Sequence, residues 1–137
     1  MRRRSFVSVA TLVMLAGCTG YQSWELIASG TIEEADGVYH FTGEVGLTGN
    51  SGGVTVDGVR VVFLDANGST LETVRIGMLG DDRQEANVSV DLDRPPKYIL
   101  VRVSSIDAPE NSEYGITGLE RRDDGRYYPY SEYDPIV

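Results

Sequence analysis

From Tyr21 to the end of the chain no window sustains a 3.6-residue apolar period with helix caps. Apolar residues instead alternate with polar ones, or form short β-branched runs bounded by turn residues. Those are the patterns of half-buried and fully buried strands. This part of the chain is therefore all-β.

Taken in order, Trp24, Leu26 and Ala28 alternate in a first strand over residues 24–32, and residues 33–37 form a turn. Residues 38–47 follow with Tyr39, Phe41 and Val45 as apolar surface, and Gly43 and Gly46 suggest a bulge or a close backbone approach. The glycine-rich loop at 48–53 lacks the lysine and helix start of a phosphate cradle, so it reads as a hairpin or sheet-crossing loop. Residues 54–64 are apolar on both faces: Val59, Val61 and Phe63 point one way, Val62 and Leu64 the other. That describes a central strand. Asn67-Gly68 turns the chain into a strand at 70–76. Residues 85–92 put Val88, Val90 and Leu92 inward, Pro95-Pro96 breaks the pattern, and residues 98–103 put Ile99, Val101 and Val103 on one face. A last strand spans 116–122, and an aromatic tail from Tyr127 to Tyr133 supplies a further edge segment. About seven short strands at this spacing predict an immunoglobulin-like β-sandwich.

The stretch Val61-Val62-Phe63-Leu64-Asp65, followed by Ala66-Asn67-Gly68 and a later alternating strand before Pro95, resembles the FxLYD family of small immunoglobulin-like domains of prokaryotic surface proteins. Asp65 and the glycine turn match strictly, while Val61, Phe63 and Leu64 replace the family's Phe, Leu and Tyr. The resemblance covers about half the chain and implies the fold without a catalytic residue.

The N-terminus has a different character. Arg2, Arg3 and Arg4 precede an apolar run over 6–16, which is too short for a bilayer span of about 20 residues and reads as a signal peptide. Leu15-Ala16-Gly17-Cys18 closes it and resembles the lipobox of prokaryotic lipoproteins. Small residues fit a narrow protease cleft, and the Cys18 thiol is the nucleophile that takes the lipid. The expected organisation is a signal peptide at 1–17, a short lipid-anchored tether at 18–23 and a β-sandwich domain at 24–137. Arg3-Arg4-Ser5-Phe6-Val7 resembles the twin-arginine export motif through Arg3, Arg4 and Phe6, although Arg2 and Ser8 depart from its flanks. An ordinary positive n-region for the general secretory route stays open. Cys18 is the only cysteine, so no disulfide forms within the chain and the core alone must hold the fold.

Cleavage before Cys18 would leave 9 basic against 21 acidic residues, a net charge of −12, with Lys97 the only lysine. Such a surface suits high salt, where screening suppresses self-repulsion. Together with the signal it resembles the secreted lipoproteins of halophilic archaea, although an acidic protein of a GC-rich bacterium stays open. Nucleic acid is a poor partner for this charge.

Candidate chemistry is sparse. His40 is the only histidine, which leaves a nitrogen- or sulfur-ligated metal without ligands, and a structural imidazole is the simpler reading than a Ser-His-Asp arrangement. Asp81-Asp82 and Asp123-Asp124 miss the ligand spacing of a calcium loop. No metal and no cofactor is implied. Asn67 and Asn87 each begin an N-glycosylation acceptor. The best binding candidate is the C-terminal cluster of Arg121, Arg122, Arg126, Tyr127, Tyr128, Tyr130 and Tyr133, residue types enriched where proteins meet. The sequence thus leads to a non-enzymatic surface lipoprotein, lipid-anchored on the extracytoplasmic face of the membrane, with an envelope protein as the expected partner. A membrane-tethered protein that binds a solute or cation through acidic loops is the alternative, and a small hydrolase ranks last.

Overall fold

A computed structural model describes residues 22–136 together with the backbone of Arg2–Ser5. The sites assigned to Phe6, Leu15, Ala16, Gly17 and Cys18 lie outside the described residues, whereas Arg3 and Arg4 fall within the first strand. Every regular element among the described residues is a strand, in the order β1 (Arg2–Ser5), β2 (Gln22–Ala35), β3 (Val38–Gly49), β4 (Thr55–Leu64), β5 (Thr70–Leu79), β6 (Glu85–Leu92), β7 (Tyr98–Arg102), β8 (Ser105–Asp107), β9 (Ser112–Arg121) and β10 (Tyr127–Tyr130). No helix among the described residues is long and apolar enough to cross a membrane.

The strands pair as β6-β3-β2 on one side and β5-β4-β7 on the other, and β9 joins both. Its first half, residues 112–117, runs parallel to residues 22–27 of β2, while Leu119 and Glu120 pair antiparallel with Ile99 and Tyr98 of β7. Gly118 stands at the crossing. A Cβ there would lie 2.3 Å from the Ile99 carbonyl oxygen, so the corner requires glycine. The β8 strand adds to β4 and β10 to β9. Two Greek-key-linked sheets with a parallel pairing between an early and a late strand make an all-β, barrel-like sandwich of immunoglobulin type.

The alternation read from the sequence selects the core. Trp24, Leu26, Ala28 and Ile32 of β2 and Phe41, Val45 and Leu47 of β3 meet Val59, Val61 and Phe63 of β4 and Ile99 and Val101 of β7. Phe41 and Phe63 pack edge to face across the two sheets with ring centroids 5.2 Å apart. Such contacts add about 0.5–1.5 kcal/mol beyond area burial. Gly30 and Gly43 are paired in the β2–β3 register, and the Phe41 ring lies over both, where any Cβ would meet its tip at 2.7 Å. The close approach anticipated at Gly43 is thus made by its own neighbour's ring and by the facing glycine. Asp65 is buried at the β4–β5 turn, where one carboxylate oxygen accepts the N–H groups of Asn67 and Ser69, both at 2.9 Å. This is why the short-side-chain acid sits at that corner.

The strand count exceeds the expected seven: residues 22–136 hold nine, because the three-residue β8 and the tail strand β10 add to the set. The strand expected over 24–32 is β2, which begins at Gln22, inside the stretch expected to be tether, because β9 runs alongside and the Gln22 N–H donates to the Asn111 carbonyl at 3.0 Å.

Candidate interaction surface

The register gives the sandwich two distinct ends. The start of β2, the end of β3 and the start of β9 lie together, with Gln22 opposite Ser112 and Trp24 opposite Gly49. The other end carries the turns at 36–37, 65–69, 93–97 and 122–126. Four of the basic residues, Arg94, Lys97, Arg122 and Arg126, lie in those far turns.

On β10 the strand alternation splits the tyrosines. Tyr127, opposite Arg121, turns inward and is only 2% exposed, and its hydroxyl donates to the Pro96 carbonyl at 2.5 Å. It belongs to the core, which removes it from the surface available to a partner. Tyr128 and Tyr130 face outward, opposite Glu120 and Gly118. Tyr130 stacks on Tyr133 with centroids 5.7 Å apart and tilts against Tyr98 at 5.1 Å. The Arg102 guanidinium lies 5.8 Å from the Tyr133 ring, and that of Arg122 lies 4.6 Å from the Tyr128 ring. The outer face of the second sheet therefore carries an aromatic row, Tyr98-Tyr130-Tyr133, ended by a cation, with a separate Tyr128–Arg122 unit beside it. Rings with polar tips already held in place lose little entropy on binding.

Tyr133 is also structural. Its hydroxyl accepts the Val101 N–H at 3.0 Å and donates to the Val101 carbonyl at 2.8 Å, where β9 has already left β7. Beyond it the Val103 N–H donates to the Pro135 carbonyl at 2.8 Å, and Val103 forms a parallel bridge with Ile136. The tail thus stands in for a missing strand along β7. Burial pushes the Tyr133 phenol up to about 12, partly offset by the Val101 N–H bond. Burial raises the Tyr130 phenol as well, and the neighbouring Tyr98 adds to it.

Arg121 is half-buried, while Arg122 and Arg126 are exposed. At the β9–β10 turn the Tyr128 hydroxyl donates to Asp124, whose other oxygen accepts the Arg126 N–H at 2.9 Å. The Tyr128 bond is the main cause that lowers the Asp124 carboxyl, with the Arg126 backbone second; the same bond raises the Tyr128 phenol. Asp81, in the other acidic turn, accepts the Gly53 N–H at 3.2 Å. Asp124 thus ties its own turn and Asp81 ties its turn to the 48–53 loop, and among the described residues no group of three His, Cys, Asp or Glu side chains is placed to hold a metal ion.

His40 on β3 is bonded through Nδ1 to Asp91 and stands 3.3 Å through Nε2 from the Ser89 hydroxyl, both on β6. The three side chains share the outer face of the first sheet, in the hydrogen-bond order of a Ser-His-Asp relay. Sequence reasoning passed over Ser89 and Asp91, which lie 49 and 51 residues from His40 and become neighbours only through the β3–β6 register. An acyl-transfer site also needs N–H donors converging on the oxyanion. Here the neighbouring N–H groups belong to the strands and lie in the plane of the sheet, perpendicular to the side chains. The row is a polar cross-strand cluster. Asn67 is exposed at the far β4–β5 turn and Asn87 on the outer face of β6 opposite Glu44.

No family model, no curated protein and no solved structure matches this chain.

Proposed function

We propose that the chain is a non-enzymatic lipoprotein, lipid-anchored through Cys18 on the extracytoplasmic face of the membrane, whose immunoglobulin-like domain contacts a protein or other component of the envelope. The observation that carries the contact half is the aromatic row of Tyr98, Tyr130 and Tyr133 with Arg102 at its end, set on an outer sheet face beside the Tyr128–Arg122 pair. The anchor half rests on Leu15-Ala16-Gly17-Cys18 after a charged and then apolar leader. Since β2 starts at Gln22, four residues past Cys18, the near end of the sandwich would sit against the membrane and the far turns would face outward. The FxLYD-like pattern around Asp65 belongs to the same reading, as does the suitability of the acidic surface for high salt. Cation or solute binding ranks second, because Asp81 already accepts the Gly53 N–H of the neighbouring loop and Asp124 the Arg126 N–H of its own turn.

Crosslinking on intact cells with mass spectrometry tests this. Native protein should fractionate with membrane and join a recurrent partner through residues 98–133. The variant Cys18→Ser should leave the membrane, and Tyr128→Ala/Tyr130→Ala should lose the partner while staying anchored. Tyr127 is left intact because its removal would damage the core. Retention of the Cys18→Ser protein on the membrane would reject the anchor. An unchanged crosslink in the double variant would reject the surface, and covalent labelling of Ser89 by a fluorophosphonate would overturn the non-enzymatic reading.

A further inference from the structure

The edge of β2 changes partner along its length. Residues 22–27 are covered by β9, which crosses to the second sheet at Gly118 and leaves the far half of β2 behind. There, residues 31–34 are paired instead with β1, the arginine-rich start of the chain, in an antiparallel register: Arg2 opposite Glu34, Arg3 opposite Glu33, Arg4 opposite Ile32 and Ser5 opposite Thr31. The register sets two arginines against the two consecutive glutamates of β2. Opposite charges directly across an antiparallel pair favour that register over its slips.

These four residues lie within the segment that lipoprotein processing would remove, so the following rests on the proposed anchor. Cleavage before Cys18 takes β1 away, and nothing else among the described residues pairs with that edge of β2. A strand edge so opened offers unpaired backbone groups, with Glu33 and Glu34 at consecutive positions along it. We propose that the β2 edge at residues 31–34 is a strand-docking site for a basic, extended segment of a partner polypeptide, held in the precursor by the chain's own Arg2–Ser5 and opened by processing. Strand addition supplies the affinity through main-chain hydrogen bonds, and Glu33 and Glu34 select arginine or lysine. The site lies about 30 Å along β2 from Gln22, at a rise of about 3.3 Å per residue, well clear of an anchor at the near end.

The test uses protein produced from the full chain and purified from membranes in detergent, with its N-terminus read by mass spectrometry. A peptide of residues 2–6 is titrated against it, followed by fluorescence anisotropy and by amide hydrogen exchange. The docking site predicts new protection confined to amides at 31–34 of β2, and binding about tenfold weaker in Glu33→Gln/Glu34→Gln, whose side-chain shape is kept. A peptide with glutamate in place of each arginine should not bind. Protection elsewhere, such as the acidic turns at 81–82 or 123–124, or unchanged affinity in the double variant, overturns the site. If residues 1–17 prove to be retained, the lipoprotein reading fails on the mass alone. The docking proposal then falls with it, since the edge would stay filled.

Discussion

Tyr133 does at one residue what a strand does elsewhere in the sandwich. Its hydroxyl is both donor and acceptor to the Val101 backbone, so a single oxygen closes the gap left where β9 turns away. Tyr133→Phe keeps the ring stack and removes only that oxygen, leaving a half-buried N–H and carbonyl unpaired. A stability loss of about 1–3 kcal/mol in urea unfolding is expected. The same residue makes stability depend on alkaline pH. The unfolded chain releases a tyrosine proton near pH 10, whereas burial holds that of Tyr133 to about 12 in the folded state. The native state therefore binds more protons between those values, and stability that is full below about pH 10 is lost as pH rises toward 12. Tyr128 and Tyr130 shift the same way. In Tyr133→Phe the fall over this window should be visibly shallower; an unchanged slope would mean that the phenol is solvated.

Among the elements, the β2–β3 pair depends on its paired glycines more than its apolar pattern suggests. A Cβ at Gly43 would stand 2.0 Å from the Ser29 carbonyl oxygen and 2.9 Å from the Gly30 Cα, both backbone, so the strands must part to admit it. Gly43→Ala is expected to cost about 2–3 kcal/mol, against a change within about 0.5 kcal/mol for Gly52→Ala, where nothing lies within 4 Å. Paired urea melts of these variants separate close packing from loss of glycine as such. Most strands were legible because they bury one face, while β4 and β7 show as apolar runs because their middle residues are buried on both, and period-2 alternation survives even where β5 is irregular; residues 85–92 of β6 agree to the residue. What escaped is what alternation does not encode. Ser105-Ile106-Asp107 carries one apolar residue and pairs only because β4 offers an edge at Thr55, Val56 and Asp57. Which tyrosine of the tail turns inward depends on the β9–β10 register, so Tyr127 passed as surface although it is core. The neighbours of His40 likewise come from a β3–β6 pairing that no local pattern announces.

At the scale of the whole molecule, charge and packing pull against each other. The core spans both sheets without a disulfide, while residues 18–137 carry 21 acidic and 9 basic side chains. Among the described residues Arg94 lies 3.6 Å from both Asp65 and Asp93, and Lys97 lies 3.9 Å from Glu120, separations at which a solvated guanidinium or ammonium group contributes little. Net repulsion among the remainder destabilises the compact state more than the expanded one, because folding brings the charges closer together. Screening should relieve it. The urea midpoint is expected to rise as NaCl is raised from about 0.05 M to about 3 M, with most of the gain below about 1 M, where the Debye length has already shrunk to about 3 Å. The shape of the curve distinguishes two causes. Salt that acts by exclusion from the protein surface strengthens apolar burial in proportion to its concentration and would give a steady climb to the highest value. A curve that rises early and then flattens belongs to self-repulsion. A midpoint that is flat below 1 M would mean that the acidic residues are spaced widely enough not to matter, and the case for a protein suited to high salt would go with it.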